Sequence, residues 1–321
     1  MQKVLITGIS GFVGRHLVSF IQQQRSNCQI FGLARNLNEG QQLINKEIRF
    51  FKADITDFVK LRKIILALQP DKIFHLAAQV SVPRAWQNPQ ETFEINVFGA
   101  LNLLESIRAL NKKPAILIAG SSSEYGNIIK DDLPIKETMI LRPVDPYGVS
   151  KASQSLLVYQ YSQIQGMKII YTRAFNHTGP GQAELGIVGR FAKEIAEIEI
   201  GRREPLIKVG NLQAKRDFLD VRDVVRAYWL ALRKGEAGEV YNICADRAYS
   251  IKEILAGLIG LSRAKIKIEK DLTLFRRSDI PVSYGSSGKF RRLTGWRPKY
   301  NFLQQTLPDL LNWWRINLTK N

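Results

Sequence analysis

The chain has 321 residues, of which 45% are hydrophobic, 9% aromatic and 24% charged. This composition is typical of a folded protein with a sizeable core, and it excludes a collagen-like, low-complexity or wholly disordered chain. The 47 Lys and Arg against 29 Asp and Glu give a net charge of +18, which favours anionic partners: nucleic acid, an acidic membrane surface or phosphorylated small molecules.

In the first half of the chain, short β-branched segments alternate with longer segments of helical periodicity. The pattern predicts strands over residues 4–7, 29–34, 48–52, 72–76 and 115–119, and an extended segment over 167–173. It predicts helices over 12–24, 58–68, 92–110 and 147–165, the second of them capped by Asp57. Because parallel strands need crossover connections, this alternation indicates an α/β fold with a doubly wound parallel sheet of the Rossmann type.

The alternation becomes irregular after about Asn176, where Gly and Pro gather and basic pairs become frequent. We therefore expect residues 1–175 to form a dinucleotide-binding domain. Residues 176–321 are expected to form mainly a smaller, interleaved α/β substrate-binding lobe. Segments near 218–250 are expected to return to the first domain.

Several classes of partner and location find little support in the sequence. No apolar run approaches the roughly 18 residues of a membrane-spanning helix, and the first apolar run contains glycines and no cleavage site. Cys28 and Cys244 are too few for a disulfide framework, which predicts a cytoplasmic protein. His16, His75 and His177 stand apart and neither cysteine has ligand spacing, so we expect no metal. No zinc-finger, helix-turn-helix or RNA-binding motif accompanies the positive charge, so we expect neither nucleic acid nor membrane as a partner.

A glycine-rich turn joins the first predicted strand to the first predicted helix. Gly8, Gly11 and Gly14 have the spacing G-x-x-G-x-x-G, with Phe12 and Val13 at the helix start. Glycines there allow a tight turn, close approach of a pyrophosphate and close packing of helix on sheet. The free N–H groups of the first helical turn can bind that anion. The alternative is a tight turn without a ligand, but its place after the first strand favours a dinucleotide site.

The residues after the second strand bear on the choice of dinucleotide. An NAD site usually has a carboxylate there, whereas an NADP site uses arginine against the additional phosphate. Here Ala34 stands at the expected carboxylate position and is followed by Arg35 and Asn36, so NADP(H) is favoured and NAD(H) remains possible. After the third strand, Asp54 and Ile55 could contact adenine, although Asp54 could equally be a turn residue.

A tyrosine, a lysine and a serine form the candidate catalytic group. Tyr147 and Lys151 lie four residues apart in a predicted helix, so their side chains share one face. A nearby ammonium is expected to lower the pKa of the phenol, which then exchanges a proton with a substrate oxygen near neutral pH. The serines from Ser121 to Ser123 follow an apolar strand, at the end of the sheet where doubly wound folds bind ligands.

With these motifs, nearly the whole chain resembles the extended short-chain dehydrogenase/reductase family. The resemblance implies a triad in which the serine four residues before Tyr125-Gly126, that is Ser121, acts with Tyr147 and Lys151. It also implies a homodimer formed through the helices over 92–110 and 147–165. The resemblance adds cofactor contacts at Leu76, Ala77, Ala78 and Asn96.

The second half of the chain resembles the branch of this family that acts on GDP-mannose and its derivatives. The stretches 173–181, 208–212, 215–217 and 276–279 carry that resemblance. They imply contacts with a GDP-sugar, and an arginine suits a diphosphate because its guanidinium binds phosphate oxygens in a bidentate way. The implied substrate-binding residues are Ser122, Ser123, Asn176, Lys208, Arg216 and Arg276.

Two reactions of this branch compete. A 4,6-dehydratase of the family has a glutamate two residues after the catalytic serine, and here that position is Ser123. Glu124 is adjacent, so a shifted loop could supply the carboxylate. A serine is a poor acid or base near neutrality, which counts against dehydration and favours simple reduction of a ketone. The resemblance as a whole implies reduction of the C4 ketone of GDP-4-keto-6-deoxy-D-mannose by NAD(P)H to GDP-D-rhamnose. The alternatives are the dehydratase, another nucleotide-sugar 4-reductase or 4-epimerase, and a non-catalytic NADP-binding sensor or scaffold.

Overall fold

The computed structural model describes residues 1–24, 27–36, 48–183, 186–275 and 280–319. The strands within these ranges are, in chain order, β1 (Gln2–Thr7), β2 (Cys28–Ala34), β3 (Ile48–Lys52), β4 (Lys72–His75), β5 (Ala115–Ser121), β6 (Ile169–Ala174), β7 (Asn176–Thr178), β8 (Leu206–Val209), β9 (Lys215–Asp220), β10 (Val240–Ile243), β11 (Ala248–Ser250), β12 (Lys267–Lys270) and β13 (Val282–Ser283). The α-helices are α1 (Phe12–Gln23), α2 (Phe58–Leu68), α3 (Val82–Gln87), α4 (Pro89–Phe93), α5 (Gly99–Arg108), α6 (Pro146–Gln165), α7 (Ile187–Glu199), α8 (Val221–Lys234), α9 (Ile251–Gly260), α10 (Gly288–Thr294) and α11 (Leu307–Leu318). No helix in these ranges is long and apolar enough to cross a membrane.

A parallel sheet positions the candidate site. In the described part of the chain it has seven strands in the order β10-β6-β5-β4-β1-β2-β3, and every pairing is parallel. The order reverses beside β1, where doubly wound folds bind their ligands. The predicted doubly wound α/β fold is confirmed. The edge strand β10 comes from the second half of the chain and pairs with β6, with Val240 opposite Tyr171.

Both faces of this sheet are covered, as parallel sheets require. Successive residues of β1 enter different cores: Val4 and Ile6 pack with α1 and α8, whereas Leu5 packs on the other face with α2 and α5. Helix α2 begins where predicted, because the Asp57 carboxylate accepts a hydrogen bond from the Lys60 N–H. The strands therefore lie between two helical layers, with their carboxyl ends at one edge.

The predicted helix over 92–110 is wrong as one continuous α-helix. Helix α4 ends at Phe93, a π-helical turn follows over Glu94–Phe98, and α5 begins at Gly99. In the π turn the Gly99 N–H donates to the Glu94 carbonyl, five residues back instead of four. Such turns often occur at functional sites. The hydrophobic pattern continues through the turn, so periodicity alone did not reveal it.

The second half of the chain builds smaller sheets. Strand β9 is central in one of them, antiparallel to β11 and parallel to β13 and β7. Strands β8 and β12 form a separate parallel pair. Helices α7, α9 and α11 pack with these strands around a third core, whose buried members include Phe191, Ile254 and Leu310.

Candidate active site

The glycine turn has the shape expected of a phosphate cradle. Gly8 has a φ of +70°, and a Cβ on it would lie 2.8 Å from the Ala77 nitrogen. A Cβ on Gly14 would lie 2.5 Å from the Gly8 carbonyl oxygen. Gly11 begins α1 without a side-chain cap, so the N–H groups of Phe12 and Val13 stand at an open helix start. These residues fit the pyrophosphate of a dinucleotide.

The end of β2 carries an arginine and no acid. Arg35 and Asn36 are exposed directly after the strand, and Ala34 is buried. After β3, one Asp54 carboxylate oxygen accepts from the Thr56 N–H at 2.9 Å and from the Thr56 hydroxyl at 2.8 Å. Ile55 is buried in the core. Of the two roles that the sequence allowed for Asp54, a turn residue or an adenine contact, these hydrogen bonds are those of a turn residue.

The segment after β4 lies against the glycine turn. Leu76, Ala77 and Ala78 are partly exposed there, and the Ala77 N–H donates to the Thr7 hydroxyl at 3.2 Å. Asn96, in the π turn, is fully buried: its Oδ1 accepts from the Gln79 N–H at 2.8 Å and its Nδ2 donates to the Gln79 carbonyl at 3.0 Å. Asn96 thus holds the main chain of Gln79, the residue after Ala78, in place.

Ser121 and Tyr147 are brought together. Ser121 ends β5 and caps a 3₁₀ turn over Ser122–Glu124, and its hydroxyl is hydrogen-bonded to the Tyr147 phenol. Burial raises the pKa of Tyr147 to about 12, and the bond from Ser121 only partly opposes this. The predicted lowering of this pKa is wrong because burial dominates, and because the charges that act on the phenol, those of Glu124 and Asp145, raise its pKa as well. At neutral pH Tyr147 is therefore a protonated phenol, the form that can donate a proton.

Lys151 is buried beneath the site. Its ammonium donates to the Ala119 carbonyl at 2.9 Å and to Gln154 Oε1 at 3.1 Å. Burial lowers the pKa of Lys151 to about 8, although the charge of Glu124 acts in the opposite direction. The ammonium is thus held by two neutral acceptors in the described part of the chain, and it lies close to its titration range at physiological pH.

The Glu124 side chain is buried in the interior. Its side chain is 0% exposed and that of Arg173 6%, and Glu124 Oε2 accepts from Arg173 Nε at 2.7 Å. Its other oxygen accepts from the Ser121 N–H at 2.8 Å and from the Tyr171 hydroxyl at 2.9 Å. Ser123, in contrast, is partly exposed at the middle of the 3₁₀ turn. Glu124 is therefore a structural anchor of the serine loop, with its acceptor capacity directed inward.

The candidate substrate residues lie in several different parts of the structure. Asn176 donates through Nδ2 to the Asp217 carbonyl at 3.0 Å, which places it next to Arg216 on β9. Lys208 is exposed on β8, in the other small sheet, opposite Glu269. Ser122 and Ser123 lie in the serine loop, and Arg276 lies outside the described residues. The structure thus brings together Asn176 and Arg216, whereas Lys208 lies on a strand that does not pair with theirs.

Some neighbours of the site were missed from the sequence. The start of α1 contacts the Gly-Pro-Gly segment after β7: Arg15 donates to the Gly181 carbonyl at 3.0 Å, and His16 Nε2 lies 2.7 Å from the Pro180 carbonyl oxygen. The ring of Phe12 stacks on His177 at 6.3 Å. These contacts join residues more than 160 positions apart, so no local sequence pattern predicts them.

No group of three His, Cys, Asp or Glu side chains in the described ranges could hold a metal ion.

Comparison with known proteins gives this geometry a family context. Residues 5–306 match the family described as GDP-mannose 4,6 dehydratase. The GDP-6-deoxy-D-mannose reductase of Pseudomonas aeruginosa is 32% identical over 98% of this chain and 97% of its own length. GDP-mannose 4,6 dehydratase 1 of Arabidopsis thaliana is 30% identical over 93% of this chain and 86% of its own. The structure of RMD from Pseudomonas aeruginosa complexed with NADPH superposes with a TM-score of 0.87, at 32% identity, over 99% of this chain and 100% of that one.

Proposed function

The chain belongs to the GDP-mannose 4,6-dehydratase family, within the short-chain dehydrogenases/reductases, and from this premise we propose that it is a nucleotide-sugar reductase. It reduces the C4 ketone of GDP-4-keto-6-deoxy-D-mannose with NADPH and gives GDP-D-rhamnose. The reductase of Pseudomonas aeruginosa, 32% identical over nearly the full length, supports this substrate. Such a step belongs to deoxysugar biosynthesis for surface polysaccharides.

One observation carries the choice of reduction over dehydration. Dehydration across C5 and C6 needs a carboxylate that reaches the sugar, and the position for it holds Ser123. The adjacent Glu124 cannot replace it, because its carboxylate is buried in an ion pair with Arg173. Reduction of a ketone needs a hydride, which the cofactor would supply, and a proton donor at the carbonyl oxygen; Tyr147 is protonated at neutral pH and can be that donor.

In this mechanism two side chains act on the ketone and a third acts on Tyr147 and the cofactor. Tyr147 donates its phenolic proton to the oxygen at C4, and the hydroxyl of Ser121 hydrogen-bonds the same oxygen. Lys151 supplies positive charge beneath Tyr147 and would hold the nicotinamide ribose. When bound, the nicotinamide cofactor supplies the hydride. Asn176 and Arg216 bind the diphosphate side of the substrate.

NADPH is the favoured cofactor. Arg35 and Asn36 are exposed at the end of β2, and the positions 34–36 hold no carboxylate that would repel a 2′-phosphate. The related structure from Pseudomonas aeruginosa was solved with NADPH, in agreement with this preference. NADH, which lacks that phosphate, is expected to serve with lower affinity.

In the experiment that tests this proposal, the purified protein is given the keto sugar together with NADPH, and the consumption of both is measured. We expect one NADPH oxidised for each GDP-D-rhamnose formed, with the configuration at C4 assigned by NMR. GDP-mannose with NADPH is the matched control, because it has no ketone and should leave the cofactor reduced. A third sample contains GDP-mannose and NADP+, and loss of water there without net cofactor turnover would instead establish the dehydratase, which the family match and the Arabidopsis relative keep as the second candidate.

A homodimer is the expected assembly. Helix α6 exposes large apolar side chains on one face, among them Leu156 at 68% and Ile164 at 73% exposure, and Phe98 is exposed on the neighbouring π turn. Such a face is costly in water and suits a second copy of the same helices. Sedimentation velocity should give a dimer at micromolar concentration. Leu156→Glu should shift it toward monomer, and a wild-type monomer would refute the assembly.

The domain division and the location follow the same proposal. Residues 1–175 form the dinucleotide domain with the returning segment near 218–250, which contains α8 and β10 of the large sheet. Residues 176–321 supply mainly the GDP-sugar lobe. Cys28 and Cys244 are both free thiols, which agrees with a cytoplasmic enzyme.

A further inference from the structure

Gln154 is a fully buried polar residue that the proposed mechanism does not use. It lies three residues after Lys151 in α6. Its Nε2 donates to the main-chain carbonyl of Asn96 at 3.0 Å, and its Oε1 accepts from the Lys151 ammonium at 3.1 Å. Since an ammonium only donates and a carbonyl only accepts, the two bonds fix the orientation of the amide.

The anchor of this amide is itself immobilised. Asn96 lies in the π turn, and its side chain is bonded to both the N–H and the carbonyl of Gln79. Its Nδ2 also donates to the Ser150 hydroxyl at 2.9 Å, and that hydroxyl donates to the Tyr147 carbonyl at 2.7 Å. The Asn96 carbonyl therefore cannot shift without breaking buried bonds, and fully satisfied networks of this kind are rigid.

The surroundings of the Lys151 ammonium make this contact important. Glu124 faces it from the loop after β5 and favours its charge, whereas burial opposes the charge. His75 faces it from β4, where burial and Lys151 lower the pKa of His75 to about 3, so the imidazole is neutral. Tyr147, one helical turn away, is a neutral phenol below its pKa of about 12. Besides the charge of Glu124, the ammonium has two close neutral acceptors, and hydrogen bonds to a charged form favour that form.

We propose that Gln154 is a positioning residue that holds the Lys151 ammonium in place and keeps it protonated during turnover. The proposal rests on the proposed function, since the charge of Lys151 acts there on Tyr147 and on the cofactor ribose. Ala119 provides the second acceptor but is a main-chain carbonyl, so Gln154 is the side chain through which this effect can be altered. Its amide links the π turn to the catalytic lysine.

Two substitutions should move the same titration in opposite directions. Gln154→Met keeps the length of the side chain but removes the acceptor, so Lys151 should lose its proton about one pH unit earlier, and the alkaline limb of kcat/KM should move down accordingly. Gln154→Glu places a carboxylate at the ammonium and should move that limb up. Ser153→Ala is the control and should leave the profile unchanged, because Ser153 is partly exposed and its hydroxyl donates to the Val149 carbonyl of the same helix.

A second measurement separates this proposal from the proposed function. NADPH affinity, followed by fluorescence between pH 6 and 10 without any sugar, should show the same opposite shifts if Lys151 holds the ribose. Failure of the wild type to reduce the keto sugar would refute the function and leave this binding test intact. Unmoved alkaline limbs in both substitutions, or limbs moved in the same direction, would overturn the role of Gln154. Should Gln154→Glu not fold, the downward shift in Gln154→Met decides alone.

Discussion

The buried pair of Glu124 and Arg173 allows a sharp prediction about stability. Glu124→Gln keeps the size of the side chain but removes its charge, which leaves the Arg173 guanidinium uncompensated in a site where it is 6% exposed. The amide can no longer accept from Arg173, Ser121 and Tyr171 together, because one of its two polar atoms is now a donor. Breaking a buried pair in this way costs about 3–5 kcal/mol of unfolding free energy.

The matched control is a glutamate–arginine pair at the surface. Glu91 accepts two hydrogen bonds from Arg84, but the two side chains are 24% and 54% exposed. Glu91→Gln should therefore cost much less unfolding free energy, because an exposed ion pair contributes little to stability. Urea denaturation followed by circular dichroism measures both losses under identical conditions. A loss for Glu124→Gln no larger than that for Glu91→Gln would refute the inference that Glu124 is a structural anchor.

A double substitution tests whether the loss comes from the pair itself. Arg173→Met removes the partner charge, so adding it to Glu124→Gln removes the uncompensated guanidinium. The combined loss should fall short of the sum of the two single losses by at least about 1 kcal/mol, as expected for residues in direct contact. Strict additivity would show that the two side chains contribute independently.

The remaining predictions concern the phenol, the cofactor turn and a buried acid. Tyr147→Phe removes the proton donor and should lower kcat by about 10²–10⁴-fold. The NADPH affinity of this variant, measured by fluorescence, should stay within about twofold of the wild type. An undiminished kcat would contradict the mechanism. Gly14→Ala places a Cβ 2.5 Å from the Gly8 carbonyl oxygen and should weaken NADPH binding and lower Tm, whereas Gly260→Ala, with open space around it, should do neither. Burial raises the pKa of Asp217 to about 7, so the native state binds a proton that the unfolded state has already lost. The free energy of unfolding should therefore fall as pH rises from about 4 to 7. Asp217→Asn should abolish this pH dependence, as measured by urea titrations at several pH values.

The regular parts of the fold could be predicted because local signals agree there with tertiary packing. Strand β3 and helix α2 have the predicted bounds, since β-branched or aromatic residues and an Asp57 cap mark them locally. The short strands around β9 could not be predicted. β13 has two residues and β7 has three, so each is defined by its partner and too short to show a period.

The candidate site was predictable in its chemistry but incompletely in its electrostatics. The hydrogen bond between Ser121 and Tyr147 agrees with two motifs that the sequence places far apart. The pKa of Tyr147 could not be predicted, because it depends on how much water the fold excludes from the phenol. Whether Glu124 could serve as a carboxylate was also undecidable from its position beside Ser123. Its partner, Arg173, lies 49 residues further along the chain.

These cases share one physical cause. A spacing such as that of Tyr147 and Lys151 fixes which functional groups share a helix face, because it depends only on helical geometry. The protonation and direction of each group depend on acceptors from other elements: Ala119, 32 residues from Lys151, and Asn96, 58 residues from Gln154. Related chains can therefore keep the motif and differ in reaction when such partners change. In this chain the carboxylate of Glu124, three residues after Ser121, is paired with Arg173 in the interior, and on this orientation rests our proposal of ketone reduction over the elimination of water.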